Sequence, residues 1–358
     1  MRSISPDRLN RPRNADFKPK AIDLFCGCGG MTLGLKMAGF RVVGAVDIDP
    51  TAVETYTANH PEVKVLCRDI RDLDPAELLE ATGSRPGGVE LLAGCPPCQG
   101  FSTLRTKNGR IRVKDPRNDL LLDFLKFVEM LRPRAVMVEN VPGLAADERF
   151  TFFRTKMGEL GYLGDHQVLN AAEYGVAQRR RRLIYLAGLG FKIPFGRKSR
   201  RLRTVRDVIG ELPKAGASGD PLHDSPERRS PRVMELIRLI PKDGGSRNDL
   251  PEEYRLECHK RCNGFKDVYG RMAWDRPAPT ITSGCFNPSK GRFLHPEEDR
   301  AITMREAALL QGFPIDYKFT PVGNKTAVAL MIGNALPPPF IAAHAGSILR
   351  VLRVNSGE

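Results

Sequence analysis

Residues 20–49 read KAIDLFCGCGGMTLGLKMAGFRVVGAVDID. The run at 20–25 is short, apolar and bounded by a glycine cluster, as a buried strand is. Residues 31–38 carry apolar side chains at helical spacing and stop at Gly39. Residues 41–46 are strand-like again and end in Asp47-Ile48-Asp49. Strand, glycine turn, helix and strand make the repeating unit of a parallel sheet. The alternation continues with helices predicted at 51–58, 75–81 and 118–131. Strands are predicted at 63–66, ending in Arg68-Asp69-Ile70, at 89–93, at 134–138, ending in Glu139-Asn140-Val141, and finally at 183–187. The fold class expected is therefore α/β: a Rossmann-like mixed, mostly parallel sheet flanked by helices, with functional groups gathered where strands end.

Beyond Gly190 the texture changes. Prolines, glycines and charges dominate to about Lys266, with helical spacing only at 232–239. Regular structure returns at Thr303-Met304-Arg305-Glu306, which reads as a capping box for a helix stopped by Gly312 and Pro314, and an apolar helix is expected at 339–352. We expect a discontinuous catalytic domain at 17–189 and 320–358, and a small domain at 190–319 whose recognition region is about 190–271. A basic extension is expected at 1–16.

The chain has 358 residues, is 41% hydrophobic and carries a net charge of +14, enough to bury a full core. Eight cysteines are too sparse for a disulfide scaffold, and with Cys67 in an apparent core strand, reduced thiols are expected. The N-terminal stretch is basic and polar without an apolar centre, and no apolar run approaches the length of a membrane span, so a cytoplasmic protein is expected. Residues 179–206 hold eleven Lys or Arg and no acid. Such a stripe suits a phosphate backbone, although a solvated loop has the same composition.

Four constellations carry chemistry. The stretch Gly94-Cys95-Pro96-Pro97-Cys98-Gln99-Gly100-Phe101-Ser102 ends a strand in a rigid turn that presents a thiol. If Gln99 opens a helix, its free N–H groups favour the thiolate, so Cys98 is expected to titrate below the ordinary ~8.5. Glu139, at the end of another strand, opens onto the same crevice, where an acid and a thiol suit addition to an electron-poor ring; alone, it would read as a loop cap. The first glycine turn, with Asp47 after the second strand for ribose hydroxyls and Asp69 after the third for an adenine amino group, is a nucleoside-binding plan. It is equally a tight structural turn, and Thr32 stands where a dinucleotide fingerprint wants glycine. In Gln178-Arg179-Arg180-Arg181-Arg182, period-two alternation puts Gln178, Arg180 and Arg182 on one face. Cys95 and Cys98 form a CxxC, but the further zinc ligands it would need, Cys258, His259 and Cys262, lie in the small domain, and two prolines disfavour a redox motif.

In this order the motifs resemble the bacterial-type DNA (cytosine-5)-methyltransferase family, over most of the chain. Asp23-Leu24-Phe25-Cys26-Gly27-Cys28-Gly29-Gly30 resembles its cofactor turn, Pro97-Cys98-Gln99 its nucleophile motif and Glu139-Asn140-Val141 its acid motif. Residues 178–182 resemble its Gln-x-Arg-x-Arg strand, Arg276-Pro277-Ala278-Pro279-Thr280 the motif after the recognition region, and Gly333-Asn334-Ala335 its closing motif. The resemblance implies transfer of a methyl group from S-adenosylmethionine, leaving S-adenosylhomocysteine, to C5 of a flipped-out cytosine in double-stranded DNA without a metal. It implies Cys98, Glu139, Arg180 and Arg182 as catalytic residues. The implied cofactor residues are Asp23, Phe25, Gly27, Gly29, Gly30, Asp47, Ile48, Asp69, Ile70, Pro97, Leu120, Asn334 and Ala335. Ser102, Gln178, Arg180 and Thr280 would meet DNA, beneath a basic flap at 99–118. Ile48 stands where many relatives have an aromatic residue, and Asp47 where glutamate is usual. A monomer acting on the bacterial nucleoid is implied, and a cognate restriction endonuclease encoded nearby is admitted as a second partner. A tRNA cytosine methyltransferase and a catalytically silent DNA-binding protein of this fold are the alternatives. The segment between Arg182 and Arg276 favours DNA over the first, and intact Cys98 and Glu139 oppose the second.

Overall fold

The structure, a computed structural model, describes residues 18–97, 120–225, 229–254 and 267–355. Its strands are β1 (Lys20–Leu24), β2 (Arg41–Asp47), β3 (Lys64–Cys67), β4 (Leu91–Gly94), β5 (Ala135–Asn140), β6 (Tyr162–Asn170) and β7 (Arg181–Leu189). They form one sheet in the order β3-β2-β1-β4-β5-β7-β6. The first five run parallel, and β7 is antiparallel to both β5 and β6. Strand order reverses between β1 and β4, and in open α/β sheets ligands bind at such a switch point, beyond the C-terminal strand ends.

Period-two alternation divides the sheet's side chains between two cores. Ala21, Leu91, Ala93, Ala135 and Met137 face one layer, where α1 (Gly30–Ala38) meets the C-terminal helix through Met31, Leu35, Phe340 and Ile341. Ile22, Leu92, Val136 and Val138 face the other, where α3 (Pro75–Ala81), α4 (Leu120–Leu131) and α5 (Glu148–Glu159) bring Leu78, Phe124, Phe127 and Phe153. Between α1 and α3 lies α2 (Pro50–Asn59), opened by the Asp49 carboxylate, which accepts the Thr51 N–H, and by proline at its first position.

The helix Lys325–Asn334 was absent from the sequence reading, and so, within the sheet layer, were α5 and β6. They form the excursion that turns the chain around, so β7 runs against the parallel strands. Cys67 is exposed, at the end of the sheet's outermost strand rather than inside the core.

The irregular region is held by buried arginine. Arg271, 0% exposed, donates to the carbonyls of Ile237, Ile240, His295 and Glu298 and pairs with Asp299. It thereby ties α6 (Pro231–Leu239) to the loops around it. The capping box is present in both directions at the start of α7 (Met304–Gln311), where Thr303 and Glu306 exchange bonds. Two helices follow, α8 (Lys325–Asn334) and α9 (Pro338–Asn355). Together they are long and apolar enough to cross a membrane, contrary to the sequence reading, but they are more than half buried in the protein. Their apolar faces are spent on the core.

Candidate functional site

The ends of β1, β2, β4 and β5 open into a cleft of about 810 Å³. Its floor is the glycine turn after β1. Phe25 turns the chain with φ +63°, and Gly27 and Gly29 follow with φ +51° and +96°, a conformation that glycine adopts freely. Gly30, at the start of α1, has no room for a side chain, since a Cβ there would stand 2.5 Å from the Leu336 carbonyl oxygen. The turn is pinned from β2. Asp47 accepts the Gly27 N–H at 2.7 Å and the Asp49 N–H at 2.9 Å, one on each oxygen, while burial pushes its carboxyl up from the ordinary value.

Most of the expected cofactor residues meet here. Phe25, Gly27, Gly30, Asp47, Ile48, Asp69, Ile70, Pro97, Leu120, Asn334 and Ala335 all line the cleft. Asp69 is held by Arg71, whose Nε lies 3.0 and 3.1 Å from its two oxygens and holds its carboxyl below the usual range. Gly29 and Asp23 do not line the cleft. Gly29 packs against His60 and Tyr317. Asp23 is 0% exposed, accepts the Thr32 hydroxyl at 2.7 Å, and has a second oxygen without a hydrogen-bond partner. Burial pushes its carboxyl up to about 7.

At the far end of the cleft stands Glu139, the penultimate residue of β5 and 1% exposed. Arg182 Nε lies 3.0 Å from Oε1; the N–H does not point along that line, so the contact is an ion pair rather than a directed hydrogen bond. The Cys95 thiol meets Oε2 at 2.8 Å. Asn140 donates to the Pro96 carbonyl at 2.9 Å, tying the end of β5 to the proline turn. Cys98, Ser102 and the 99–118 flap lie outside the described residues, as do Cys258, His259 and Cys262. Sequence reading missed Cys95, Arg68, Arg71 and Met331 in the cleft wall. The first is visible only as a CxxC partner, and the others carry no motif.

The arginine-rich segment alternates as expected, with Gln178 and Arg180 buried, Arg182 half-buried, and Arg179 and Arg181 exposed. Two side chains of its inward row are engaged within the protein, however. Gln178 donates to the Leu310 carbonyl and to Gln311, and accepts the Ile281 N–H at 2.9 Å. Arg180, which does line the cleft, donates to the carbonyls of Ile281 and Gly333, each at 3.0 Å, and burial pulls it down to about 9. The two side chains brace the 278–281 segment and the end of α8 against β7. Thr280 donates to the Arg179 carbonyl at 2.7 Å and does not line the cleft. Of the basic stripe, Lys198, Arg201 and Arg206 pair with Glu173, Asp207 and Asp275, while Arg197, Arg200 and Arg203 are exposed.

Known proteins resemble the chain over most of its length. The profile of the C-5 cytosine-specific DNA methylases matches residues 19–350. The Type II methylase M.HgiDII of Herpetosiphon aurantiacus is 39% identical over 92% of this chain and 95% of its own. The Type II methyltransferase M1.HphI of Haemophilus parahaemolyticus is 36% identical over 94% and 87%. Among solved structures, an E. coli prophage-encoded chain described as a DNA modification methyltransferase superposes with a TM-score of 0.69 at 25% identity, covering 94% of this chain and all of that one. The S. pombe Dnmt2 methyltransferase shares the fold, with a TM-score of 0.61 at 20% identity over 94% and 99% of the two chains.

Proposed function

Since this chain belongs to the C-5 cytosine-specific DNA methylase family and is a DNA (cytosine-5)-methyltransferase that depends on S-adenosylmethionine, we propose how its residues divide that work. The cleft above the glycine turn takes the cofactor. Its volume lies within the ~300–1,000 Å³ of small-molecule sites. Its groups also suit a nucleoside: Asp47 for ribose hydroxyls, Asp69 for the adenine amino group, and Phe25 and Ile70 for the ring faces. Pro97, Leu120, Asn334 and Ala335 complete the walls. When bound, S-adenosylmethionine supplies a methyl group on a positively charged sulfur. Asp23, sealed beneath the turn, acts by holding α1 through Thr32 rather than by touching the cofactor.

Cytosine C5 is too weak a nucleophile to be alkylated unaided. Addition of the Cys98 thiolate to C6, with Glu139 hydrogen-bonded at N3, turns C5 into an enamine carbon. After alkylation, removal of the C5 proton by a base expels the thiolate and restores the ring. Arg182 holds the cytosine O2 and keeps Glu139 in place. The base is flipped out of the duplex to reach these groups. The observation that carries the reading is the meeting of Glu139 and Arg182 in the same cleft as Asp47. Duplex DNA is the partner; exposed Arg179, Arg181, Arg197, Arg200 and Arg203 suit its phosphates, Ser102 and Thr280 are further candidates for DNA contact, and residues 190–271 read the sequence. Its relatives are named Type II methylases, and a cognate restriction endonuclease encoded nearby is the second partner proposed. It works on nucleoid DNA in a bacterial cytoplasm, as a monomer.

The test is mechanism-based trapping. Incubation with the methyl donor and duplex DNA carrying 5-fluorocytosine at the methylated site leaves a protein–DNA adduct that survives denaturation, and Cys98→Ser leaves none. Absence of the adduct in protein that still binds S-adenosylhomocysteine would refute the assignment.

A further inference from the structure

Backbone pairing between β4 and β5 ends at Gly94 opposite Val138. The next two positions in the same register are joined by side chains: the Cys95 thiol reaches Glu139 Oε2 at 2.8 Å, and Asn140 donates to the Pro96 carbonyl at 2.9 Å. The Cys95 N–H is itself bonded to the Leu24 carbonyl at 3.3 Å, so the thiol is delivered from a backbone fixed by β1. We infer that Cys95 is a positioning residue for Glu139, its S–H fixing which way the carboxyl faces while Arg182 holds the opposite oxygen.

The chemistry suits that task. β5 fixes only the backbone of Glu139, and three side-chain torsions separate it from the carboxyl. A carboxyl held on Oε1 alone could still swing about that contact; two contacts from two different strands define its plane. The thiol is a weak donor and occupies one lone pair of Oε2, leaving the other position to carry the proton that the acid donates to cytosine N3. Burial and the neighbouring Glu139 push the Cys95 thiol well up, which keeps it a donor. The inference rests on the reading of Glu139 as the acid that bonds cytosine N3.

The experiment measures steady-state methylation of duplex DNA by Cys95→Ala, Cys95→Ser and Glu139→Gln, with Cys95→Ala also placed in the Glu139→Gln background, and S-adenosylhomocysteine binding for each. Cys95→Ala should lower kcat about tenfold with KM for the methyl donor within about twofold, and Cys95→Ser, which restores a donor, should recover most of the loss. In the Glu139→Gln background the alanine should cost nothing further, because the two residues act as one unit. A packing role predicts the reverse order, with alanine better tolerated than serine on an apolar wall. That order, full activity in Cys95→Ala, or an undiminished loss in the double variant would overturn the inference. If Cys95→Ala fails to bind S-adenosylhomocysteine, Cys95→Ser decides: turnover below about a tenth of the parent's overturns the inference, and higher turnover supports it. Full turnover by Glu139→Gln is a distinct result, which removes the acid assignment and the inference with it.

Discussion

Asp23→Asn tests the buried carboxyl under the glycine turn. Asp23 is 0% exposed, and its hydrogen-bond partner is the Thr32 hydroxyl, which also meets the Tyr56 hydroxyl at 2.9 Å. Burial moves the carboxyl from 3.8 to about 7, against the opposing pull of Thr32. The folded state therefore keeps a proton that the unfolded chain gives up. Stability from this group is fully present below the unfolded value, falls as pH rises through the interval up to about 7, and stays lost above it. The span from 3.8 to about 7 corresponds to a loss on the order of 4 kcal/mol. His60, which burial pulls down to about 4, contributes in the opposite direction over part of the same window, so the parent's total stability does not isolate Asp23. The difference between parent and variant does, since His60 is common to both. Asparagine cannot ionise, and its amide adds only a pH-independent offset. Urea unfolding at intervals between pH 4.5 and 8 should show the variant gaining on the parent by several kcal/mol, with the gain levelling off above pH 7. Two stability curves that run parallel across this range would refute the claim that Asp23 is buried in a protonatable form.

Other perturbations follow from the same contacts. In Gly30→Ala, the new Cβ starts 2.5 Å from the Leu336 oxygen, so the 334–337 segment must retreat by about 0.9 Å to reach ordinary contact at 3.4 Å; overpacking of that kind costs about 1–3 kcal/mol. Because Asn334 and Ala335 line the cleft, calorimetry should show S-adenosylhomocysteine binding at least ~10-fold weaker, and unchanged affinity would sink the packing argument. Gln178→Leu strands the Ile281 N–H and the Leu310 carbonyl in the interior and should lower stability by about 2–4 kcal/mol. DNA affinity at fixed salt should stay as it was in the folded variant, whereas a clear loss of affinity would return Gln178 to the DNA contacts.

The parallel half of the fold was legible because its central strands β1, β4 and β5 are buried on both faces and separated by well-marked helix ends. The helix at 75–81 is found with the expected bounds, since Asp74 caps it and proline opens it. β6 escaped notice for a physical reason: at the sheet's edge, its residues from Leu163 to Asp165 are exposed, so YLGDHQVLN shows no apolar alternation. Apart from the helix expected at 232–239 and found at Pro231–Leu239, the irregular region was legible only as irregular, because what orders it is Arg271 donating to carbonyls scattered from Ile237 to Glu298, and carbonyl oxygens leave no trace in a sequence. Gln178 and Arg180 show where period-two reasoning ends. It states which side chains share a face, and here it did so correctly, but not that the 278–281 segment already covers that face.

The reversed strand is what makes the site possible. In a wholly parallel sheet the residues that open a strand lie at the edge opposite the cleft, so an arginine preceding residues 183–187 could not meet a carboxylate at the end of β5. The excursion through α5 and β6 inverts β7, placing Ile184 opposite Glu139 and Leu183 opposite Asn140. Arg182, one position earlier, then lies just beyond the strand end, where its guanidinium reaches back to Glu139 at 3.0 Å. The acid is thus approached from both flanks, by a thiol continuing the register of β4 and by a guanidinium opening β7. Its backbone, meanwhile, is locked in a strand that is buried throughout. In the role proposed for it, meeting one edge of a flipped base in a cleft shared with a methyl donor, this carboxyl requires support of this kind, because orientation contributes to rate only when it is fixed before the substrate arrives.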